Sequence, residues 1–267
     1  MNRTNFTRFG LVVVTIVVAA VLFQTPSAQG QITVGTPVIN QVTYSTTIGN
    51  EVHNETATNN SAGGTVSLGL TGDWYVPVPV GAAGLAPELT GILPISVGNI
   101  PVEIDSFDFT PNAKWVNGGG NTTDPVTKWT ITATLYQQGA TLPTGTAGPP
   151  GYGDPKVKTL TYTDTLTGNG IDIISNTSTT DYAPYVLGSG LKYYLAIDDY
   201  TSITVGNGYT NSTPTIVVTN EFGGTFGDSY SGLSASFTWH TVPEPSTVAL
   251  LALGSIGLVF AHRRFTS

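Results

Sequence analysis

Apolar and polar positions alternate with a period of two through most of the chain, and an unbroken apolar run stands near each end. Residues 126–138 (VTKWTITATLYQQ) set Trp129, Ile131, Ala133 and Leu135 on one face, with Thr130, Thr132, Thr134 and Tyr136 on the other. Residues 233–241 (LSASFTWHT) put Leu233, Ala235, Phe237 and Trp239 inward and Ser234, Ser236, Thr238 and His240 outward. Successive side chains of an extended backbone leave on opposite faces, so this pattern predicts half-buried strands. Further strands are predicted over residues 38–48, 102–109, 191–200 and 214–220. Residues 117–125 (NGGGNTTDP) and 141–155 (TLPTGTAGPPGYGDP) are too rich in Gly and Pro for regular structure. No helix is predicted between the two apolar runs. Many short strands with Gly/Pro/Asn punctuation predict an all-β body, an antiparallel β-sandwich of jelly-roll or Ig-like type, forming one domain over residues 31–241.

The apolar runs change the picture from a bare domain to an exported one. Arg3 and Arg8 precede the stretch 11–23 (LVVVTIVVAAVLF), Pro26 breaks it, and small residues follow at Ala28 and Gly30. A basic start, an apolar core and a small-residue end describe a secretory signal peptide. Residues 1–30 are therefore expected to form a signal helix, cleaved between Gly30 and Gln31. At the other end, residues 248–261 hold fourteen uncharged positions. As a helix this run is about 21 Å long, against a hydrocarbon core of about 30 Å. Gly254, Ser255 and Gly257 would weaken a helix in water. Arg263 and Arg264 follow directly, where they can reach the headgroups and mark the cytoplasmic side. A short C-terminal transmembrane helix over 248–261, with a basic end at 262–267, is the expectation.

Between body and tail stands Val242-Pro243-Glu244-Pro245-Ser246-Thr247. Its prolines hold φ near −65° and keep the segment out of sheet and helix, available to an enzyme. This motif at 242–247, the apolar run and the two arginines together resemble the PEP-CTERM sorting signal of Gram-negative bacteria, over residues 242–267. The resemblance implies that an exosortase, a membrane-embedded cysteine transpeptidase-like enzyme, recognises Pro243, Glu244 and Pro245. It implies Arg263 and Arg264 as the cytoplasmic stop and a transient tether in the inner membrane. Release or transfer to the cell surface would follow, often alongside exopolysaccharide production. The basic cluster is short and preceded by His262, which departs from the family's pattern.

Charge and composition remove several function classes. All four arginines lie at the ends, and the body carries five lysines against sixteen acidic residues. Such a surface repels a phosphate backbone, so nucleic acid is not expected as a partner. The chain has no cysteine, which excludes disulfides, thiolate metal sites and thiol catalysis. Carboxyl pairs occur at Glu103 with Asp105 and at Asp198 with Asp199, as they would in any acidic β body. Glycosidases hold two carboxyls about 5 to 10 Å apart across a sugar. Asp198, Asp199 and Asp228 are weak candidates for a structural calcium, without the spacing of a D-x-D-x-D-G loop. No other cofactor is expected. His53 and His240 are the body's only histidines, and no G-x-S-x-G, H-E-x-x-H or G-x-x-x-x-G-K-[ST] motif is present.

Two patterns point to surface recognition. Thr159, Thr161, Thr163, Thr165 and Thr167 alternate without a break, as suits the wet face of a strand. An ice-binding array needs such ranks repeated on neighbouring strands, and no solenoid period supplies them. Trp74, Tyr75, Tyr152 and Tyr209 are expected in or beside loops, where ring faces could stack on sugars. The expected function is that of an exported, non-enzymatic cell-surface or extracellular-matrix protein, sorted by its tail and associated with exopolysaccharide. The alternative is a carbohydrate-binding or carbohydrate-active sandwich, with ice binding third. A cleft holding two facing carboxyls beside Trp or Tyr would favour the alternative.

Overall fold

The computed structural model describes residues 32–42, 51–60, 64–78, 83–85, 88–118, 126–146, 151–168, 170–174, 178–204, 216–222, 232–242 and 254. The signal segment with its Gly30–Gln31 junction, the Pro243-Glu244-Pro245 motif, Arg263 and Arg264 lie outside the described residues. So does the apolar tail, save for Gly254, whose backbone is helical. Among the described residues no helix is long and apolar enough to cross a membrane.

The body is built of antiparallel strands, as the alternation predicts. In chain order they are β1 (Ile32–Val34), β2 (Val38–Val42), β3 (Glu51–Asn60), β4 (Thr65–Val78), β5 (Ala83–Leu85), β6 (Glu88–Val97), β7 (Val102–Thr110) and β8 (Ala113–Gly118). There follow β9 (Val126–Gln137), β10 (Lys156–Thr167), β11 (Gly170–Ile174), β12 (Thr179–Asp181), β13 (Tyr185–Leu187), β14 (Lys192–Thr204), β15 (Ile216–Phe222) and β16 (Leu233–Thr241). A seven-stranded sheet runs β1-β6-β14-β9-β10, with β2 also on β6 and β5 on β14. A nine-stranded sheet runs β11-β8-β15-β4-β16-β7-β12, with β13 also on β7 and β3 on β4. The strand number exceeds the seven to nine of an Ig-like domain and the roughly eight of a jelly roll.

One apolar core lies between the sheets. Leu68 and Leu70 of β4, Phe107 and Phe109 of β7 and Phe237 of β16 face it from the larger sheet. Leu93 of β6, Ile131 and Leu135 of β9, and Leu195 and Ile197 of β14 face it from the smaller one. Two contacts show how closely the layers approach. Trp115 of β8 and Trp129 of β9 stack with parallel rings and centroids 4.5 Å apart, one from each sheet. On β6, a Cβ at Gly91 would stand 3.1 Å from the Leu70 side chain, so the missing methyl lets the sheets close.

The strand predicted at 126–138 is β9, and that at 233–241 coincides with β16. The strand predicted at 191–200 extends to Thr204. Three long strands, β3, β4 and β6, are not predicted. In β6 (ELTGILPISV) nearly every residue is buried, because its outer face is covered too, and so the alternation disappears. Pro94 also argues against a strand there, yet its carbonyl is used by the Gly35 N–H at 2.8 Å.

Both ends of the body leave at one pole of the sandwich. Ile32 lies opposite Val97 at the end of β6, and a turn over residues 98–101 leads to Val102, which lies opposite Thr241. The Val242 N–H donates to the Pro101 carbonyl at 3.0 Å in that same turn.

Candidate functional site

Strand alternation that buries one face of β9 leaves a row of threonines on the other. Pairing with β10 places Thr134 opposite Thr159, Thr132 opposite Thr161 and Thr130 opposite Thr163. The hairpin thus brings two threonine rows into matched ranks, which no repeat period in the sequence signalled. Hydroxyls in such an array stand about 7 Å apart along a strand and about 5 Å apart across strands. Thr134 donates to Thr159 at 3.2 Å, so the first rank is already tied together.

On the far side of β9, register with β14 sets Asp198 beside Thr132 and Tyr200 beside Thr130. The segment after β9 turns back over this face. Leu142 and Tyr152 from it pack on Ile92, Tyr136, Tyr194 and Ala196, forming a small second core outside the sandwich. Tyr136 and Tyr194 stack at 4.9 Å, and Tyr152 meets both edge-on at 5.8 Å. Two hydrogen bonds fasten the segment: Tyr194 Oη donates to Asp154 at 3.1 Å, and Asn40 Nδ2 donates to the Gly145 carbonyl at 3.0 Å. Gly151 adopts φ +102°, and a Cβ there would lie 2.5 Å from Tyr136 Oη, so only glycine lets the backbone pass. Between this cover and the threonine floor is a groove of about 210 Å³, with Lys156 and Gly151 at one side and Asp198 and Tyr200 at the other.

Asp198 is the polar centre of the groove. Thr90 of β6 donates to its Oδ1 at 2.7 Å. Burial pushes its carboxyl well above the ordinary aspartate range, and the hydrogen-bonded Glu88 carboxyl pushes the same way. Asp198 therefore keeps its proton above the pH at which an ordinary aspartate loses it. Burial also raises the phenols of Tyr136, Tyr152 and Tyr194, which therefore stay neutral hydrogen-bonding groups. The Glu88–Asp198 contact leaves no room for a sugar between the carboxyls, which glycosidases separate by about 5 to 10 Å.

The other candidate residues fall elsewhere. Asp198 and Asp199 are neighbours on one strand and so face opposite ways, Asp199 into the region between the sheets; Asp228 lies outside the described residues. The three weak calcium candidates are therefore not brought together within what is described, where no cluster of three or more His, Asp or Glu could hold a metal. Glu103 and Asp105 lie on the larger sheet, with Glu103 opposite His240 and Asp105 Oδ1 2.7 Å from His240 Nδ1, at the surface. Trp74 and Tyr75 belong to β4, not to a loop, where they pair with Asn220 and Thr219. Tyr209 lies outside the described residues. Of the four expected loop aromatics, Tyr152 alone lies in a described loop, packed on Tyr136 and Tyr194.

The last strand carries a second feature. Its Trp239 N–H donates to the Gly64 carbonyl at 2.8 Å, and with the Val242 bond this holds β16 to its final residue. Residues 241–264 match the family model of the PEP-CTERM protein-sorting motif. The PEP-CTERM match begins at the terminal residue of β16, so domain and signal abut without a linker. A PEP-CTERM signal implies exosortase-dependent export, with membrane-anchored transit before cleavage, and makes the exosortase the partner. No curated protein matches the chain.

Proposed function

We propose that the protein is a non-enzymatic component of the cell surface or extracellular matrix, delivered by exosortase processing of its tail and held in contact with exopolysaccharide. The observation that carries this reading is the abutment of the sorting motif on a clamped final strand. A processing enzyme needs an extended, accessible segment, and the two prolines keep Pro243-Glu244-Pro245 from being absorbed into the sheet. Because β16 is fixed up to Val242, the motif leaves the body from a defined point. A non-catalytic role is supported by the contact between Glu88 and Asp198, which is unlike a hydrolytic pair.

The reading is tested by fractionating cells that express the chain with Pro243→Ala and Pro245→Ala together. The wild-type protein is expected in shortened form at the surface or in the medium, and the double variant at full length in the inner membrane. Equal size and equal distribution of the two would refute it.

A further inference from the structure

We propose that the threonine-floored groove of the seven-stranded sheet binds a sugar ring of a neutral polysaccharide. This rests on reading the protein as an exported companion of exopolysaccharide, and it names the site and the ligand class.

The chemistry of the lining selects the ligand. Threonine hydroxyls both donate and accept, and they line the floor from Thr130 to Thr134 on β9 and at Thr159 and Thr161 on β10. A ring bearing several hydroxyls matches such ranks; a hydrocarbon would strand them without partners. Tyr200, half-buried beside Thr130, stands at one end of β9's outer row, where an aromatic ring can meet the C–H face of a pyranose. Asp198, backed by Glu88 and Thr90, offers carboxyl oxygens to hydroxyl donors from the side.

Size and charge narrow the class further. The groove is smaller than the roughly 300 Å³ at which sites for drug-sized ligands begin, which suits one ring of a longer chain. The floor continues beyond it to Thr163 and Thr165, both exposed, so the chain has a way out. The lining holds one basic side chain, Lys156, and one carboxyl, Asp198, so neither sign of charge dominates it. The acidic body around it disfavours uronates and sulfated glycans.

The test is isothermal titration of the full chain with three soluble neutral polysaccharides (a glucan, a mannan and a galactan) and with alginate as the anionic comparison. Saturable binding of at least one neutral glycan is expected, at least tenfold tighter than alginate. Thr161→Val and Tyr200→Ala are expected to weaken it fivefold or more with unchanged circular dichroism. Thr161 is exposed, so its variant keeps the fold even if Tyr200→Ala does not. Absence of neutral-glycan binding, a preference for alginate, or equal affinity of the wild type and Thr161→Val would overturn the proposal. So would shaping of ice crystals by a wild-type protein that ignores all the glycans. The Pro243→Ala/Pro245→Ala chain separates the two readings. Mislocalisation of that chain with full glycan affinity supports both, whereas its mislocalisation with no glycan affinity in either chain removes the groove proposal alone.

Discussion

Asp198 keeps its proton in the folded chain at pH values where an ordinary aspartate has lost it, because burial and the Glu88 carboxyl both oppose ionisation. Below the ordinary value of 3.8 both folded and unfolded chains hold that proton, and stability does not depend on it. Above that value the unfolded chain releases the proton first. Stability therefore falls as pH rises, by at most about tenfold in the folding equilibrium per pH unit, until the folded carboxyl also ionises. Asp198→Asn removes this dependence. Denaturant midpoints between about pH 4 and about pH 7 should decline more steeply for the wild type than for the variant. Parallel pH curves for the two proteins would show that Asp198 does not hold the proton. The sequence marks Asp198 but pairs it with Asp199, which alternation sends to the opposite face. Its actual neighbours, Glu88 and Thr90, sit on β6, a strand that doubly buried faces and Pro94 conceal. A long-range pairing of this kind has no local signature.

At the scale of elements, the two sheets are tied at their edges as well as through the core. Lys158 of β10 follows an irregularity in register between Lys156 and Lys158. Its buried side chain crosses to the other sheet, where Nζ lies 2.7 Å from Asp181 Oδ2 of β12 and also donates to the Ala183 carbonyl. The Lys158 hydrogen bond, and then the Ala183 N–H, hold the Asp181 carboxyl below its ordinary range. Lys158→Met keeps most of the stem and removes the charge, and should lose about 1 to 3 kcal/mol near neutral pH by urea unfolding. A lowered carboxyl contributes stability above its unfolded value and loses it on acidification. The gap between wild type and Lys158→Met should therefore narrow below about pH 4, and a gap independent of pH would contradict the role given to Asp181. Strands β9 and β16 were legible because each buries one face and wets the other. The threonines of β9 and β10 were equally legible as rows. Their matching into ranks was not, since it depends on the register of a hairpin whose connecting segment spans residues 138–155.

The whole molecule is an acidic sandwich with its chain entry and exit at one pole. Since the protein has no cysteine, labels can be placed at will. Spin labels at Thr33→Cys and His240→Cys should lie closer together than labels at Thr33→Cys and Thr165→Cys. Thr165 pairs with Lys128, near the end of the smaller sheet remote from the pole. Equal separations by pulsed electron resonance would refute the common pole. The sorting motif at the exit was legible from its own residues. The meeting of entry and exit depends on a turn over residues 98–101 joining the two sheets, which nothing in the flanking sequences announces.

The shared pole sets the protein's posture before cleavage. Five residues, 243–247, separate Val242 from the apolar run, and fully extended they reach about 17 Å. A leash of that length keeps the pole with the turn over 98–101 within about 17 Å of the apolar run. The tyrosine cover of the groove, where Tyr194 pairs with Tyr136, lies toward that pole, and the exposed Thr163–Thr165 end lies away from it. Cutting the leash frees the body to turn in any direction. Any chain threaded along the threonine ranks before that moment would enter from the outward side.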